Sequence, residues 1–289
     1  MNTYVHPEML VSTQWVFDHL GQPGLRLVEV DVDTQAYQAG HLPGAVGFNW
    51  QTQLQDQVTR DILPKPAFEK LMGSAGLTAQ DKLVLYGDNN NWFAAYALWL
   101  FKIYGHQEVC LMDGGRIKWL KEEDRPMTTQ VALAEPTTYV AQDPDLSLRA
   151  RVGDVLKVLG GGAENLVDVR SPDEFTGRVV APPGMTETAQ RGGHIPGAKS
   201  VPWSSAVKED GTFKPMDELR RIYFVDAGLQ PSLPTIAYCR IGERSSHTWF
   251  VLTYLLGLEQ VRNYDGSWTE YGSMVGLPIE RGAGDRVQA

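Results

Sequence analysis

The chain has 289 residues and a formal net charge of −9, long enough for two domains of ordinary size, each with its own core. With 43% hydrophobic and 21% charged residues it reads as a soluble globular protein, and the acidic balance argues against nucleic acid, which is held by Lys and Arg on phosphates. No apolar run approaches the roughly 20 residues needed to span a bilayer, and the N-terminus has no basic region ahead of an apolar core. Two cysteines do not make a disulfide framework, so the expectation is a reducing, cytoplasmic location with neither a membrane nor a nucleic acid as partner.

Along the chain, short β-branched runs at Leu27–Val30, Lys82–Tyr86 and Val109–Leu111 lack polar alternation, as strands buried on both faces of a parallel sheet do. A helical pattern at Trp92–Tyr104 lies between them. Glu122–Ala150 carries three prolines and no clear period, which reads as a linker. The order then recurs, with helices at Arg151–Leu159, Met216–Ala227 and Ser245–Leu256 and strands at Leu166–Val169, Thr235–Tyr238 and Val261–Tyr264.

This recurrence is an internal duplication. "GHLPGAVGFNW" (40–50) matches "GHIPGAKSVPW" (193–203), with His41 and His194 offset by 153. Asp113 and Asp265 are offset by 152, whereas Leu27 and Leu166 are offset by 139. The second copy therefore holds 14 extra residues, placed most simply in the Pro-Pro-Gly-containing loop 176–191. The expected domains are 1–121, a linker 122–150 and 151–289, each domain α/β with a mostly parallel sheet flanked by helices.

The offset of 152 carries Cys239 onto Gly87, so only the second copy bears a sulfur at this strand-to-helix turn. Such turns at the carboxyl ends of parallel strands hold ligands, and the free amides of a helix start favour an anion there. Arg240 and Arg244 are expected to lower the thiol pKa, Gly242 to let the loop amides converge on the sulfur, and Ser245 and Ser246 to cap the helix. Cys110 aligns with Arg262 and reads as packing or surface. Trp50 and Trp203 share the 153 offset and read as core.

The ordered set "VDVR" (167–170), "GHIPGA" (193–198), "YCRIGER" (238–244) and "YDGSWTEY" (264–271) resembles the tandem-domain rhodaneses, thiosulfate sulfurtransferases, and most closely the actinobacterial-type members with a CRIGERS loop. The resemblance covers nearly the whole chain. It implies two tandem rhodanese-like domains, the first without a nucleophile. It also implies a Cys239 persulfide formed from thiosulfate with loss of sulfite and discharged to cyanide or a thiol, with no metal or organic cofactor. The loop Arg240, Ile241, Gly242, Glu243, Arg244 and Ser245 would hold the donor, supported by Asp168 and Arg170, and a protein sulfur acceptor is a further possible partner. Two departures stand out. Ile241 occupies a position that is basic in many tandem members, and the family's donor-binding Arg falls on Glu174, for which Arg178 could substitute.

Alternatives from other classes are a 3-mercaptopyruvate sulfurtransferase and a non-catalytic sulfur-carrier or docking module. The related cell-cycle phosphatases use a Cys-x5-Arg loop, and Arg244 comes one residue too early for it. A papain-like hydrolase needs a His held against the sulfur, and His247 on the following helix reads as an ordinary helix residue. His41 and His194 occur in both copies and read as structural, and no two histidines have metal-ligand spacing.

Overall fold

The computed structural model describes residues 3–122, 124–132, 134–160, 163–181 and 189–282. Among the described residues the strands are β1 (Leu10–Val11), β2 (Leu25–Asp31), β3 (Val46–Asn49), β4 (Lys82–Tyr86), β5 (Val109–Met112), β6 (Arg149–Ala150), β7 (Asn165–Asp168), β8 (Lys199–Ser200), β9 (Thr235–Tyr238) and β10 (Val261–Tyr264). They form two five-stranded sheets of the same order, β1-β5-β4-β2-β3 and β6-β10-β9-β7-β8, with every pairing parallel. Parallel strands need crossovers, and helices supply them, as at Trp92–Ile103 and Glu243–Phe250. Burial on both faces explains the unbroken apolar runs: every residue of β5 and β9 is buried.

The chain divides into two compact units. One comprises His6–Asp145 with Lys208–Phe213, and the other takes Leu146–Val207 and the chain from Lys214 on, with the N-terminal residues through Val5. The segment expected as a linker thus lies mostly within the first unit, where Tyr139 is buried and its hydroxyl bonds His106. The excursion Lys208–Phe213 is held there by Phe213 N–H donating to Asp113 (2.9 Å) and by Lys118 pairing with Asp210 (3.2 Å).

The repeated "GH(L/I)PGA" motif has the same physical role in both units. Leu42–Ala45 and Ile195–Ala198 are turns closed by bonds of 3.0 and 3.1 Å. Their Pro-Gly centres have φ of +78° at Gly44 and +79° at Gly197, the conformation a type II turn requires. The buried strand-end tyrosines Tyr86 and Tyr238 accept from Leu42 N–H and Ile195 N–H, each at 3.1 Å. His41 and His194 stack on Tyr37 and Phe175 and bond the carbonyls of those same residues.

Two helices end differently from the expectation. Met216–Arg220 and Glu243–Phe250 each continue into a π-helical stretch, Arg221–Asp226 and Val251–Leu255. Of the extra loop 176–191, Pro182–Thr188 lies outside the described residues. Its far end is fastened, because the Arg191 guanidinium donates to the carbonyls of Tyr271, Gly272, Met274 and Leu277. Among the described residues, no helix is long and apolar enough to cross a membrane.

Candidate active site

In the second unit, Asp168, Ser200, Tyr238 and Tyr264 lie in register, so four parallel strands end at one level. Cys239 follows β9 at that edge and is fully buried. The chain then turns through Gly242, whose φ of +105° is left-handed, directly into the helix Glu243–Phe250. A side chain at Gly242 would also collide with Asp265, at 2.8 Å from its Cβ, so glycine is required twice over.

The turn aims the Gly242 N–H at Cys239 Sγ at 3.1 Å. Ser245 Oγ lies 3.6 Å from the sulfur, but its stronger bonds go to Asn263 Oδ1 (2.6 Å) and the Gly242 carbonyl (3.1 Å). Ser246 also bonds the Gly242 carbonyl, at 2.7 Å. The helix begins two residues earlier than expected, so these serines do not cap it; they lock the turn from within its first helical turn. Ser267 completes the cradle, accepting from Cys239 N–H at 3.1 Å while itself in a left-handed conformation, φ +52°. Trp268 and Thr269 donate their N–H groups to the carbonyls of Cys239 and Arg240.

The charge around the sulfur differs from the expectation. Arg244 makes a two-point pair with the buried Glu174, at 3.0 and 3.1 Å, and its Nε lies 3.6 Å from Glu243. The Glu243 carboxylate in turn accepts from the Cys239 thiol at 3.4 Å. Burial pushes the thiol pKa up, Glu243 pushes it further, and Arg244 and the Ser245 bonds only partly oppose them. The expected lowering by arginines is therefore corrected: carboxylates engage Arg244 and one of them touches the sulfur. Burial also opposes ionisation of Glu174, yet the bonds and charge of Arg244 outweigh it and hold its pKa low.

Neighbouring charges are balanced likewise. Arg170 pairs with Asp168 (2.6 Å), donates to the Gly193 carbonyl (2.7 Å) and lies over the Trp268 ring, all of it buried. Arg149 forks onto Asp265 at 2.8 and 2.9 Å. Arg240 and Ile241 are buried, at 4% and 3% exposure. Arg178 is not brought to this site. Its side chain is 71% exposed and pairs with Asp173, so it does not stand in for the position held by Glu174. His247 is buried against Trp203, and desolvation depresses its pKa to about 3, so it is a neutral packing residue.

Sequence reasoning missed Ser267, Asn263 and the role of Glu174. A signal for Glu174 was present: Ser171-x-x-Glu174 is a capping box, and the structure shows both of its bonds.

The first unit fills the equivalent place. A Cβ at Gly87 would meet the Val30 carbonyl at 2.3 Å and Asp31 Oδ1 at 2.9 Å. Asn91 locks the loop, accepting from Gly87 N–H and donating to the Met112 carbonyl, within a run Asn89–Asn91 of left-handed residues. Cys110 is buried in β5 beside β4, with its thiol pushed up to about 12 by desolvation.

The family model for the Rhodanese-like domain matches residues 12–122 and 152–274. Among curated relatives, a "Putative thiosulfate sulfurtransferase" of Haloferax volcanii is 55% identical over 95% of this chain and 97% of its own length. One of the same name from Mycolicibacterium smegmatis is 54% identical, over 96% and 99%. The "Sulfur carrier protein TtuD" of Thermus thermophilus is 51% identical, also over 96% and 99%. Among solved structures, the anaerobic ergothioneine biosynthesis enzyme from Chlorobium limicola superposes with a TM-score of 0.84 at 22% identity, covering 98% of this chain and 72% of that one, and so shares the fold. The chain belongs to the rhodanese family and carries two copies of the rhodanese-like domain in tandem.

Proposed function

We propose that the protein is a thiosulfate sulfurtransferase in which Cys239 carries the sulfur. The Cys239 thiolate attacks the outer sulfur of thiosulfate, the S–S bond of the donor breaks, and sulfite leaves with the bonding pair. The resulting persulfide then passes its outer sulfur to cyanide or a thiol. The observation that carries this reading is the Gly242 N–H directed at Cys239 Sγ at 3.1 Å. Together with the helix start at Glu243 it stabilises negative charge on a buried sulfur. The names of the curated relatives point to the same chemistry, and the sulfur-carrier name of one adds a protein thiol as a candidate acceptor. In this reading the first domain has a supporting role, since backbone and Asp31 occupy the place of a nucleophile.

Intact mass tests the reading. Thiosulfate without acceptor should add one sulfur, located on the peptide containing Cys239, and cyanide should remove it. Cys239→Ser should neither take up sulfur nor turn over. Sulfur uptake by that variant would overturn the proposal. Initial rates with thiosulfate and 3-mercaptopyruvate measured side by side decide the donor.

A further inference from the structure

The carboxylate against the sulfur has no part in the mechanism so far. Glu243 is 2% exposed, and its Oε2 accepts from the Cys239 thiol at 3.4 Å. A negative group here works against an anionic nucleophile, and it is tolerated beside Arg244 at 3.6 Å. The other charged groups around it are Glu174, bound to Arg244 from the helix Pro172–Phe175, and Asp265, which crowds Gly242 while paired with Arg149. Glu243 is therefore the acceptor placed to take a proton at the sulfur.

We propose that Glu243 is the general base for sulfur delivery, and that it directs the persulfide toward acceptors that arrive as neutral thiols. The inference rests on the Cys239 persulfide reading above. An incoming thiol R–SH gives its proton to Glu243 as its sulfur bonds the outer sulfur of Cys239–S–S⁻. The bond from Sγ to that sulfur breaks, leaving R–S–S⁻, a Cys239 thiolate and a protonated Glu243. Glu243 then returns the proton to Cys239, restoring the thiol–carboxylate pair seen here. The acceptor sulfur is oxidised as the Cys239 sulfur is reduced, so no outside redox partner enters. An anionic acceptor brings no proton and meets the repulsion of the carboxylate, so a neutral thiol is the acceptor class this site fits.

The test loads Cys239 with thiosulfate and removes excess donor. It follows discharge to dithiothreitol at a pH where it is a neutral thiol and, separately, to cyanide at a pH where cyanide is ionised, comparing variant with wild type under each condition. Glu243→Gln should slow discharge to the thiol by about a hundredfold, the scale of general-base catalysis. Discharge to cyanide should change by only a few-fold. With the base gone, the thiol rate should rise about tenfold per pH unit as the acceptor ionises by itself, whereas the wild type should stay nearly flat. Glu243→Asp should recover part of the loss. Equal losses for both acceptors, or parallel pH profiles, would overturn the proposal. The wild type alone also decides it: thiol discharge at pH 6 should exceed what the thiolate fraction allows, and a rate that merely tracks that fraction refutes a base. Failure to load Cys239 at all would instead refute the persulfide reading.

Discussion

Glu174 and Arg244, 70 residues apart in the chain, meet through two hydrogen bonds of 3.0 and 3.1 Å with both side chains buried. The same Glu174 oxygen that receives Arg244 Nη1 also closes the capping box with Ser171 N–H at 3.0 Å. One carboxylate therefore anchors a short helix and holds the arginine that follows the Cys239 turn.

Removing that carboxylate leaves a buried guanidinium without its main partner. Glu174→Ala should cost about 3–5 kcal/mol, read by chemical denaturation. Glu174→Gln should cost less, since the amide keeps an acceptor for Ser171. It should also free the Arg244 field, so that alkylation of Cys239 by iodoacetamide sets in at lower pH than in the wild type. An unmoved alkylation profile in a folded Gln variant would show that this field does not reach the sulfur.

For the proposed donor, Arg244→Ala should lower kcat/KM for thiosulfate by at least about tenfold. Arg178→Ala should change it by less than about twofold, because an exposed ion pair contributes little. Steady-state rates at low and high salt check both, and a larger effect at Arg178 would return that residue to the site.

Placing a nucleophile in the first copy should fail. Gly87→Cys in a Cys239→Ser background should give no sulfur transfer. Gly87→Ala alone should cost roughly 1–3 kcal/mol, because its Cβ would sit 2.3 Å from the Val30 carbonyl. Thermal unfolding and thiosulfate loading measure the two outcomes, and a stable, active Gly87→Cys domain would show that the loop opens.

Asp31 gives a pH dependence. It is 3% exposed, its Oδ2 has no hydrogen-bond partner, and burial pushes its pKa up to about 8, against the counteracting Asp88 N–H bond. Between the unfolded value near 4 and about 8, the folded state binds more protons than the unfolded one. Stability due to this group is therefore complete below pH 4 and lost as pH rises, by at most about 1.4 kcal/mol per unit. Asp31→Asn, which keeps an acceptor for Asp88 N–H, should be more stable than wild type at pH 8 and no more stable at pH 4. Tm measured across that range checks the sign.

The sequence by itself determined the duplicated α/β architecture, most strand positions and the singular place of Cys239. These are local or periodic signals: apolar runs without alternation, Pro-Gly turns, and a cysteine opposite a glycine at a fixed offset. Only the tertiary structure decided the charge at the sulfur. Arg244 counts as positive along the chain, but burial desolvates the thiol and Glu243 turns inward onto it, while Glu174 engages Arg244 from a distant helix, so the expected lowering of the thiol pKa becomes a raising. Ser267 and Asn263 reach the loop only because β10 lies beside β9, and Tyr139 packs in the first unit although its segment is rich in proline. Pairings of this kind have no period in the sequence, and a charge acquires its effect only when burial and its partner are fixed together.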